Sequence, residues 1–322
     1  MNYARIAAFM VLGAAAMDAG AQAPAYPSRP VKLVVGFTPG GGSDVVARVL
    51  AQKLFEFSGQ TWLVENRPGA GGNLAFESVA HAEPDGYTLL NSTPGIVINP
   101  TLYRKVNFKV DDFVAVTLVG KAPLLLVVHP SLPAHSIADL VKLAKARPGA
   151  IKFASAGTGS SSHLATEVFR TMMGLELVHV PYKGGPQAMH DVISGQLEML
   201  TLPFPETLPQ VRAGRVRALA QTGDKRAFNA LDIPTMDEAG VKGYSVTTWY
   251  VIFGPAAMPA AIVNKLHEDF VRALKLPDVQ ERLRAAGVGE IVGSTPAAAA
   301  QFVKSEFTRW AQVIQASGAK AD

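Results

Sequence analysis

The chain contains no cysteine, which excludes disulfide bonds, a lipid-attachment cysteine and a thiol nucleophile. Charged residues make up only 17% of it, and the lysines and arginines are scattered without a basic run or interleaved aromatic residues. This distribution argues against a nucleic-acid partner, although the net charge of +4 suits a small anion. The 7 histidines include no pair at the i, i+4 spacing of a helical zinc site. We therefore expect neither nucleic acid nor a metal.

Nucleotide and hydrolase motifs are missing too. The glycine turn that ends in Gly42–Ser43 lacks the lysine of a phosphate-binding P-loop, and a Gly-x-Ser-x-Gly nucleophile elbow occurs nowhere. Gly157 and Gly159 begin a dinucleotide fingerprint, but Ser162 stands where its third glycine belongs. We therefore expect no nucleotide and no other cofactor.

The N-terminal residues have the three parts of a secretory signal peptide. Arg5 supplies a basic start, Ile6–Ala16 is an apolar run, and Ala21–Ala23 is a small-x-small cleavage site. The apolar run is shorter than the roughly 20 residues that cross a bilayer. We expect cleavage after Ala23 and a mature chain in the periplasm without membrane insertion. An uncleaved anchor is the alternative.

The rest of the chain alternates short apolar runs with helical periodicity, which predicts βα units and a mostly parallel sheet. The predicted strand Val31–Val35 leads into the three glycines of Phe37–Ser43, where a helix begins. The same order recurs at Ser155–Ser162, where a Ser/Gly turn separates a strand from a helix. We expect Ser161 or Ser162 to cap this second helix.

Two long apolar runs, Leu124–His129 and Tyr244–Phe253, are predicted to be strands that cross between two α/β domains. The predicted division is a signal peptide at 1–23, a first lobe at 24–124 plus 254–322, and a second lobe at 125–253. Each lobe points a glycine-rich helix start toward the other, at the strand ends where α/β sheets bind ligands. First-turn amides and the helix dipole favour an anion there, and glycine allows its close approach. The pattern predicts a cleft for a small anion.

Side chains near these turns have both a structural and a ligand-binding interpretation. Asp44 is expected to complement the helix dipole, because a carboxylate at the cleft mouth would repel an anion. His163 is either a partly exposed helix residue or a donor that lines the cleft. Tyr182 and Lys183 follow a strand, and the lysine is either solvated or closes on a carboxylate. Trp249–Tyr250 are either core aromatics or a wall against an apolar part of the ligand.

Several motifs occur in order between about residues 27 and 318: Phe37–Arg48, Glu65–Gly72, Pro84–Tyr87, Asn99–Tyr103, Ser155–Ser160 with His163–Leu164, and His179–Gly184. This series resembles the Bug proteins, the TctC-like solute receptors of tripartite tricarboxylate transporters. The resemblance implies a two-lobed, type II-like periplasmic binding protein that closes over a small carboxylate without catalysis. It also implies that main-chain amides and waters of Thr38–Gly42 and Ser155–Ser160 hold the carboxylate. The expected ligand contacts are Phe37, Thr38, Gly40, Gly41, Thr93, Ser155, Ala156, Gly157, Thr158, Gly159, Ser160, His163, Tyr182, Lys183 and Leu202.

The sequence departs from the family pattern at two places, and the second of them bears on the ligand. Gly36 replaces the proline that usually precedes the phenylalanine, which should loosen the strand exit without removing amides. The stretch Thr201–Pro205 lacks the acidic or amide residue that members binding amino acids would use. We therefore expect a di- or tricarboxylate, or an aromatic carboxylate, without an amine.

The leading hypothesis is an extracytoplasmic receptor that binds a small organic carboxylate for a tripartite tricarboxylate permease or a sensor protein. It is not expected to be an enzyme. An exported hydrolase or lyase that uses Ser160 or His163 is the alternative from another class. A structural adaptor whose lobes contact a protein partner is a third hypothesis.

Overall fold

The strands of the computed structural model follow the buried apolar runs of the sequence. The structure describes residues 26–321, so the predicted signal peptide at 1–23 lies outside the described residues. The strands are β1 (Val31–Val35), β2 (Trp62–Asn66), β3 (Thr88–Ser92), β4 (Phe113–Val128), β5 (Ile151–Ser155), β6 (Leu177–Pro181), β7 (Met199–Pro203), β8 (Arg217–Gln221), β9 (Thr247–Pro255) and β10 (Glu290–Ile291). The α-helices are α1 (Gly42–Ser58), α2 (Asn73–Ala80), α3 (Gly95–Leu102), α4 (Ile137–Ala146), α5 (Ser161–Met173), α6 (Gly185–Ile193), α7 (Phe204–Arg212), α8 (Ala260–Leu274), α9 (Pro277–Ala285) and α10 (Pro296–Ser317). Among the helices within residues 26–321, none has the length and hydropathy that a membrane crossing requires.

The strands form two sheet regions that share β4. In the first region the order is β2-β1-β3-β9-β4, with β1 parallel to β2 and β3, and β9 antiparallel to β3 and β4. In the second region β7 and β8 pair antiparallel with the end of β4, and β5 pairs in parallel with β6 and β7. The sheet is therefore mixed rather than mostly parallel, because β4 and β9 run against their neighbours.

The long strand β4 crosses from one lobe to the other. Its residues 113–123 pair with β9, from Phe113 opposite Pro255 to Pro123 opposite Thr247, whereas residues 124–128 pair with β7. Pro123 has no N–H to donate, and it lies where the pairing changes partner. The crossing strand expected at Leu124–His129 is the second half of this longer strand.

The strand β9 lies in the first sheet region along its whole length, between β3 and β4. Just before it, the Val246 N–H donates to Thr222 O at 2.9 Å, beside the end of β8. The predicted lobe boundaries remain a proposal. The pairing of β9 favours a second boundary before Thr247 rather than after residue 253.

Helix α10 is fastened to β9 through a buried acid. The helix begins at Pro296 after its N-cap Thr295. Glu306 Oε2 accepts hydrogen bonds from Trp249 Nε1 at 2.9 Å and from Trp310 Nε1 at 3.1 Å. Both indoles are fully enclosed, with exposed fractions of 0% and 1%. This junction fixes the position of β9, which carries Tyr250 to the cleft.

Candidate functional site

A glycine turn precedes α1, and hydrogen bonds to the Asp44 side chain stabilise the conformation of this turn. Asp44 Oδ2 accepts hydrogen bonds from Gly40 N–H and from Arg48 Nε, both at 2.9 Å. Its Oδ1 accepts another from Asn66 Nδ2 at 2.9 Å. Burial acts to raise the pKa of Asp44, but these hydrogen bonds outweigh it and the pKa lies below its ordinary value. Asp44 therefore has the structural role that was expected of it.

The turn between β5 and α5 is folded by its own serines. Ser160 Oγ accepts a hydrogen bond from His163 N–H at 3.2 Å and donates one to Gly157 O at 2.6 Å. Ser162 Oγ accepts from Ala156 N–H at 3.3 Å. Gly157 has a φ of +126°, which favours glycine. The cap expected one or two residues further on is wrong, because Ser160 is the extended residue whose hydroxyl reaches the first turn of α5.

A cavity of about 30 Å³ lies between these two helix starts. Its lining residues are Phe37, Gly41, Gly42, Ser43, Thr93, Ala156, Ser160, Ser161, Ser162, Gly185, Pro203, Glu206, Thr248 and Tyr250. Ligand pockets usually measure about 300–1,000 Å³. The lobes must therefore open for an organic ligand to enter, and the lining residues must adjust around the ligand when the lobes close again.

The two lobes touch around this cavity through hydrogen bonds and several glycines. Tyr103 OH of the first lobe donates to Thr158 O of the second at 2.9 Å. A Cβ placed on Gly184 would lie 1.9 Å from Thr38 Oγ1, and one on Gly71 would lie 2.0 Å from Thr158 O. A side chain at either glycine would hold the lobes apart. The structure is thus a closed form whose closure depends on glycine.

Several polar atoms at the cavity are buried and have no hydrogen-bond partner within residues 26–321. Thr93 Oγ1, Glu206 Oε2 and Tyr250 OH belong to lining residues. Two more such atoms are Thr38 Oγ1, in the residue after Phe37, and Asn91 Oδ1, whose side-chain amide donates to Ser43 O at 2.8 Å. Thr93 is 6% exposed and Tyr250 is 1% exposed. Buried polar groups in folded proteins nearly always have a partner. The cluster therefore indicates a place where a bound molecule supplies the missing hydrogen bonds.

Glu206 brings an acid from the second lobe to the start of α1. Its Oε1 accepts a hydrogen bond from Gly42 N–H at 3.0 Å. The residue as a whole is half-buried, but its Oε2 atom is out of contact with solvent. Burial raises the pKa of Glu206 to about 7, an effect that the hydrogen bond from Gly42 only partly offsets. Burial also raises the pKa of Tyr250, and the neighbouring Glu206 raises it further.

We expect closure of the ligand-free protein to depend on pH through Glu206. Burial penalises only the charged carboxylate and raises the pKa of Glu206 to about 7 in the closed form, so we expect this pKa to fall toward its ordinary value of 4.5 when the cleft opens. At a pH between these two pKa values, Glu206 takes up a proton when the cleft closes. The closed form is therefore favoured most at low pH and loses this advantage as pH rises through 7, by up to about tenfold per pH unit.

Small-angle X-ray scattering checks this dependence. The radius of gyration should be larger at about pH 8 than at about pH 5.5. Glu206→Gln, which does not titrate, should remove the difference. Equal radii for the wild-type protein at both pH values would contradict the expectation.

The structure brings some of the predicted ligand contacts to the cavity and leaves others in the surrounding turns. The predicted contacts that line it are Phe37, Gly41, Thr93, Ala156 and Ser160. Thr38, Gly40, Ser155, Gly157, Thr158 and Gly159 belong to the same turns but are not lining residues in the described structure. Their contact with a ligand remains a prediction.

The remaining predicted contacts do not line the cavity either. His163 is a buried helix residue, with 4% of its surface exposed. Tyr182 OH donates a hydrogen bond to Asp191, and this bond and burial raise the pKa of Tyr182 to about 12. Lys183 is exposed to solvent, and Leu202 is in the core of the second lobe. Their contact with a ligand remains a prediction.

The geometry does not join Ser160 and His163 as nucleophile and base. The Ser160 hydroxyl donates to Gly157 O, whereas His163 Nδ1 accepts from Gly159 N–H at 3.3 Å. The His163 ring stacks on that of His179, with 4.1 Å between centroids, and burial lowers the pKa of His163 to about 4. A general base must reach the proton that it removes. The hydrolase or lyase hypothesis therefore finds no support.

Glu206 is the main residue that sequence reasoning missed. The signal was present, because Pro205 stands in the first turn of α7, and proline there marks a helix start. That reading places Glu206 at a helix N-terminus, like Ser43 and Ser161. Tyr250 lines the cavity, which agrees with its interpretation as a wall of the site. Gly42 lines the cavity at the end of the expected stretch Thr38–Gly42, and the other lining residues outside the predicted contacts are Ser43, Ser161, Ser162, Gly185, Pro203 and Thr248.

Two α/β lobes that share a crossing strand and close over facing helix starts define the two-lobed solute-binding proteins. The chain belongs to the tripartite tricarboxylate transporter family receptors, TctC, whose family model matches residues 46–319. It is 36% identical over 327 residues to protein BugT of Bordetella pertussis, strain Tohama I, covering 99% of each chain.

Many solved structures are similar to this chain, and two of them are similar at 34% and 37% identity. One is the periplasmic binding protein BugD, at 34% identity and a TM-score of 0.88, covering 92% of this chain and 100% of that one. The other is R. palustris Rpa4515 with adipate, at 37% identity and a TM-score of 0.88, covering 91% of this chain and 98% of that one. The resemblance to Bug and TctC-like receptors is confirmed, and with it membership of a family of binding proteins.

Proposed function

We propose that this chain is an extracytoplasmic receptor that closes over a small organic carboxylate. The observation that carries the proposal is the group of buried, unpartnered hydroxyls, Thr93 Oγ1 and Tyr250 OH, between the starts of α1 and α5. Hydroxyls and first-turn amides are the donors that a carboxylate needs. The adipate in Rpa4515 supports the same ligand class. The receptor delivers its ligand to a tripartite tricarboxylate permease or to a sensor protein.

The energetics are sufficient for a receptor without covalent chemistry. A helix N-terminus contributes about 0.3–1 kcal/mol to an exposed anion and up to about 2 kcal/mol to a partly buried one. Hydrogen bonds to a charged group add about 1.5–3 kcal/mol each. Micromolar affinity corresponds to about −8 kcal/mol. Two helix starts and a few hydrogen bonds reach this range after the cost of immobilising a small ligand.

The proposal includes export of the chain to the periplasm. The sequence pattern of residues 1–23 supports a signal peptide that is cleaved after Ala23, and the family is one of periplasmic binding proteins. We place the mature chain in the periplasm as a binding protein and not an enzyme. N-terminal sequencing of the protein from a periplasmic extract tests the cleavage site, and a first residue other than Pro24 would contradict it.

A thermal-shift screen tests the proposed ligand class. The mature chain is heated with di- and tricarboxylates, aromatic carboxylates and amino acids, and with sugars and divalent cations as controls. At about 100 times the dissociation constant, a true ligand adds about 2.7 kcal/mol of stability. Stabilisation by carboxylates supports the proposal. Stabilisation by sugars or cations, with none by carboxylates, would overturn it.

We expect Tyr103→Phe to weaken carboxylate binding by about two- to tenfold, because it removes the hydrogen bond between the lobes to Thr158 O. Titration calorimetry measures the affinity. Tyr26→Phe is a matched control, since Tyr26 OH donates to Gly86 O within the first lobe. If the two variants bind equally well, the bond between the lobes contributes nothing to the closed form.

A further inference from the structure

Glu206 is the one acid among the described residues that line the cavity, and that lining holds no lysine, arginine or histidine to pair with it. The other polar groups there are hydroxyls and main-chain amides, which suit an anion. An ionised acid in such a site opposes the anion unless a hydrogen-bond donor lies between the two charges.

The position of the Glu206 carboxyl leaves one oxygen free for a ligand. Oε1 accepts a hydrogen bond from Gly42 N–H at 3.0 Å, while Oε2 is buried and has no partner within residues 26–321. A Cβ on Gly185 would lie 1.5 Å from Oε2, so any other residue at this position, at the start of α6, would displace this oxygen. Pro203, Gly42 and Tyr250 line the cavity on the other sides. A buried carboxylate without a partner is costly, which makes Oε2 an acceptor in need of a donor.

We infer that Glu206 determines the specificity of the cleft: it accepts a hydrogen bond from a hydroxyl or ammonium group that the ligand carries beside its carboxylate. The inference rests on the proposed function and adds to it the chemistry of the ligand's second group. The ligand carboxylate accepts hydrogen bonds from the hydroxyls and amides at the helix starts. The ligand's adjacent hydroxyl or ammonium group lies between that carboxylate and Glu206.

A hydroxyl donor agrees with the expectation of a ligand without an amine, whereas an ammonium donor would change that expectation. That expectation depended on the absence of an acidic side chain from Thr201–Pro205. Glu206 is the next residue along the chain, and α7 turns it into the cavity. The counter-charge that the sequence stretch lacks is therefore present one residue later.

Sets of ligands with one carbon skeleton test the inference. Each set contains a bare acid, its 2-hydroxy derivative and its 2-amino derivative: succinate, malate and aspartate; glutarate, 2-hydroxyglutarate and glutamate; phenylpropionate, phenyllactate and phenylalanine. Affinities are measured at about pH 8, where Glu206 is ionised. The proteins are the wild type, Glu206→Gln, and the matched control Glu268→Gln, whose side chain is exposed on α8. The melting temperature of each protein without ligand shows that it is folded.

We expect a donor-bearing member of at least one set to bind wild-type protein about ten- to a hundredfold more tightly than its bare acid. Glu206→Gln should abolish this preference if the donor is an ammonium, and keep part of it if the donor is a hydroxyl, because the amide oxygen still accepts. Glu268→Gln should keep it entirely. Equal or tighter binding of the bare acid, unchanged in Glu206→Gln, would overturn the inference and leave the proposed function standing. If no acid of any set or of the wider screen binds, both fail together.

Discussion

Gly184→Ala should lower the affinity for a carboxylate by about ten- to a hundredfold, because the new Cβ would lie 1.9 Å from Thr38 Oγ1 across the cleft. Gly184 has extended backbone, with a φ of 174°, so alanine fits its conformation. The clash exists only when the lobes are closed. The open protein should therefore keep its stability and lose its ability to enclose a ligand, as measured by titration calorimetry and by scattering with saturating ligand.

Two variants make this result specific to closure. Gly289→Ala adds the same methyl group at an exposed glycine whose nearest neighbour is an ordinary contact, Pro123 Cδ at 3.5 Å, and it should bind normally. Thr38→Ala combined with Gly184→Ala removes the clashing hydroxyl and should recover part of the affinity. A Gly184→Ala protein that binds and compacts like the wild type would show that ligand binding does not use this closed form.

Glu306→Ala should lower the free energy of unfolding by about 2–6 kcal/mol, since each buried donor left without a partner costs about 1–3 kcal/mol. Trp249 and Trp310 both donate to Glu306 Oε2, and both indoles lie in the core. Urea unfolding followed by tryptophan fluorescence measures the change as a lower midpoint.

The conservative variant separates the hydrogen bonds from the charge. Glu306→Gln keeps an acceptor oxygen for the indoles. It loses the ion pair in which a guanidinium nitrogen of Arg309 lies 3.1 Å from Glu306 Oε1. We expect it to lose less than half as much stability as Glu306→Ala. Equal stability of the wild type and the alanine variant would show that the junction between α10 and β9 contributes nothing.

Strand and helix positions could be predicted wherever burial alone decided them. Val31–Val35 was predicted with the bounds that the structure shows, because a buried parallel strand is an unbroken apolar run. The first half of β4 was missed, since Gly120, Lys121 and Pro123 interrupt the pattern although the strand continues through them. Helix α7 was missed because it contains Pro205 and Pro209. Proline usually interrupts a helix, but the first turn of a helix tolerates it because the missing N–H would have no partner there.

The candidate site could be predicted in its main-chain parts. Glycine turns at helix starts are local features, and Gly41 and Ser160 are found at the cavity for that reason. Glu206 and Gly42 are 164 positions apart, and only the folding of one lobe against the other brings them together. A sequence pattern contains no information about such a contact. The unpartnered Glu206 Oε2 is therefore a property that the structure alone reveals.

A crystal structure of the mature chain, grown with the carboxylate that gives the largest thermal shift, tests the central claim most directly. The account predicts the ligand enclosed between the lobes. One carboxylate oxygen should lie within about 3 Å of a main-chain N–H at the start of α1 or α5. A ligand bound elsewhere would contradict it, for instance in the groove of about 600 Å³ between Phe108 and Val303, with the helix starts out of its reach.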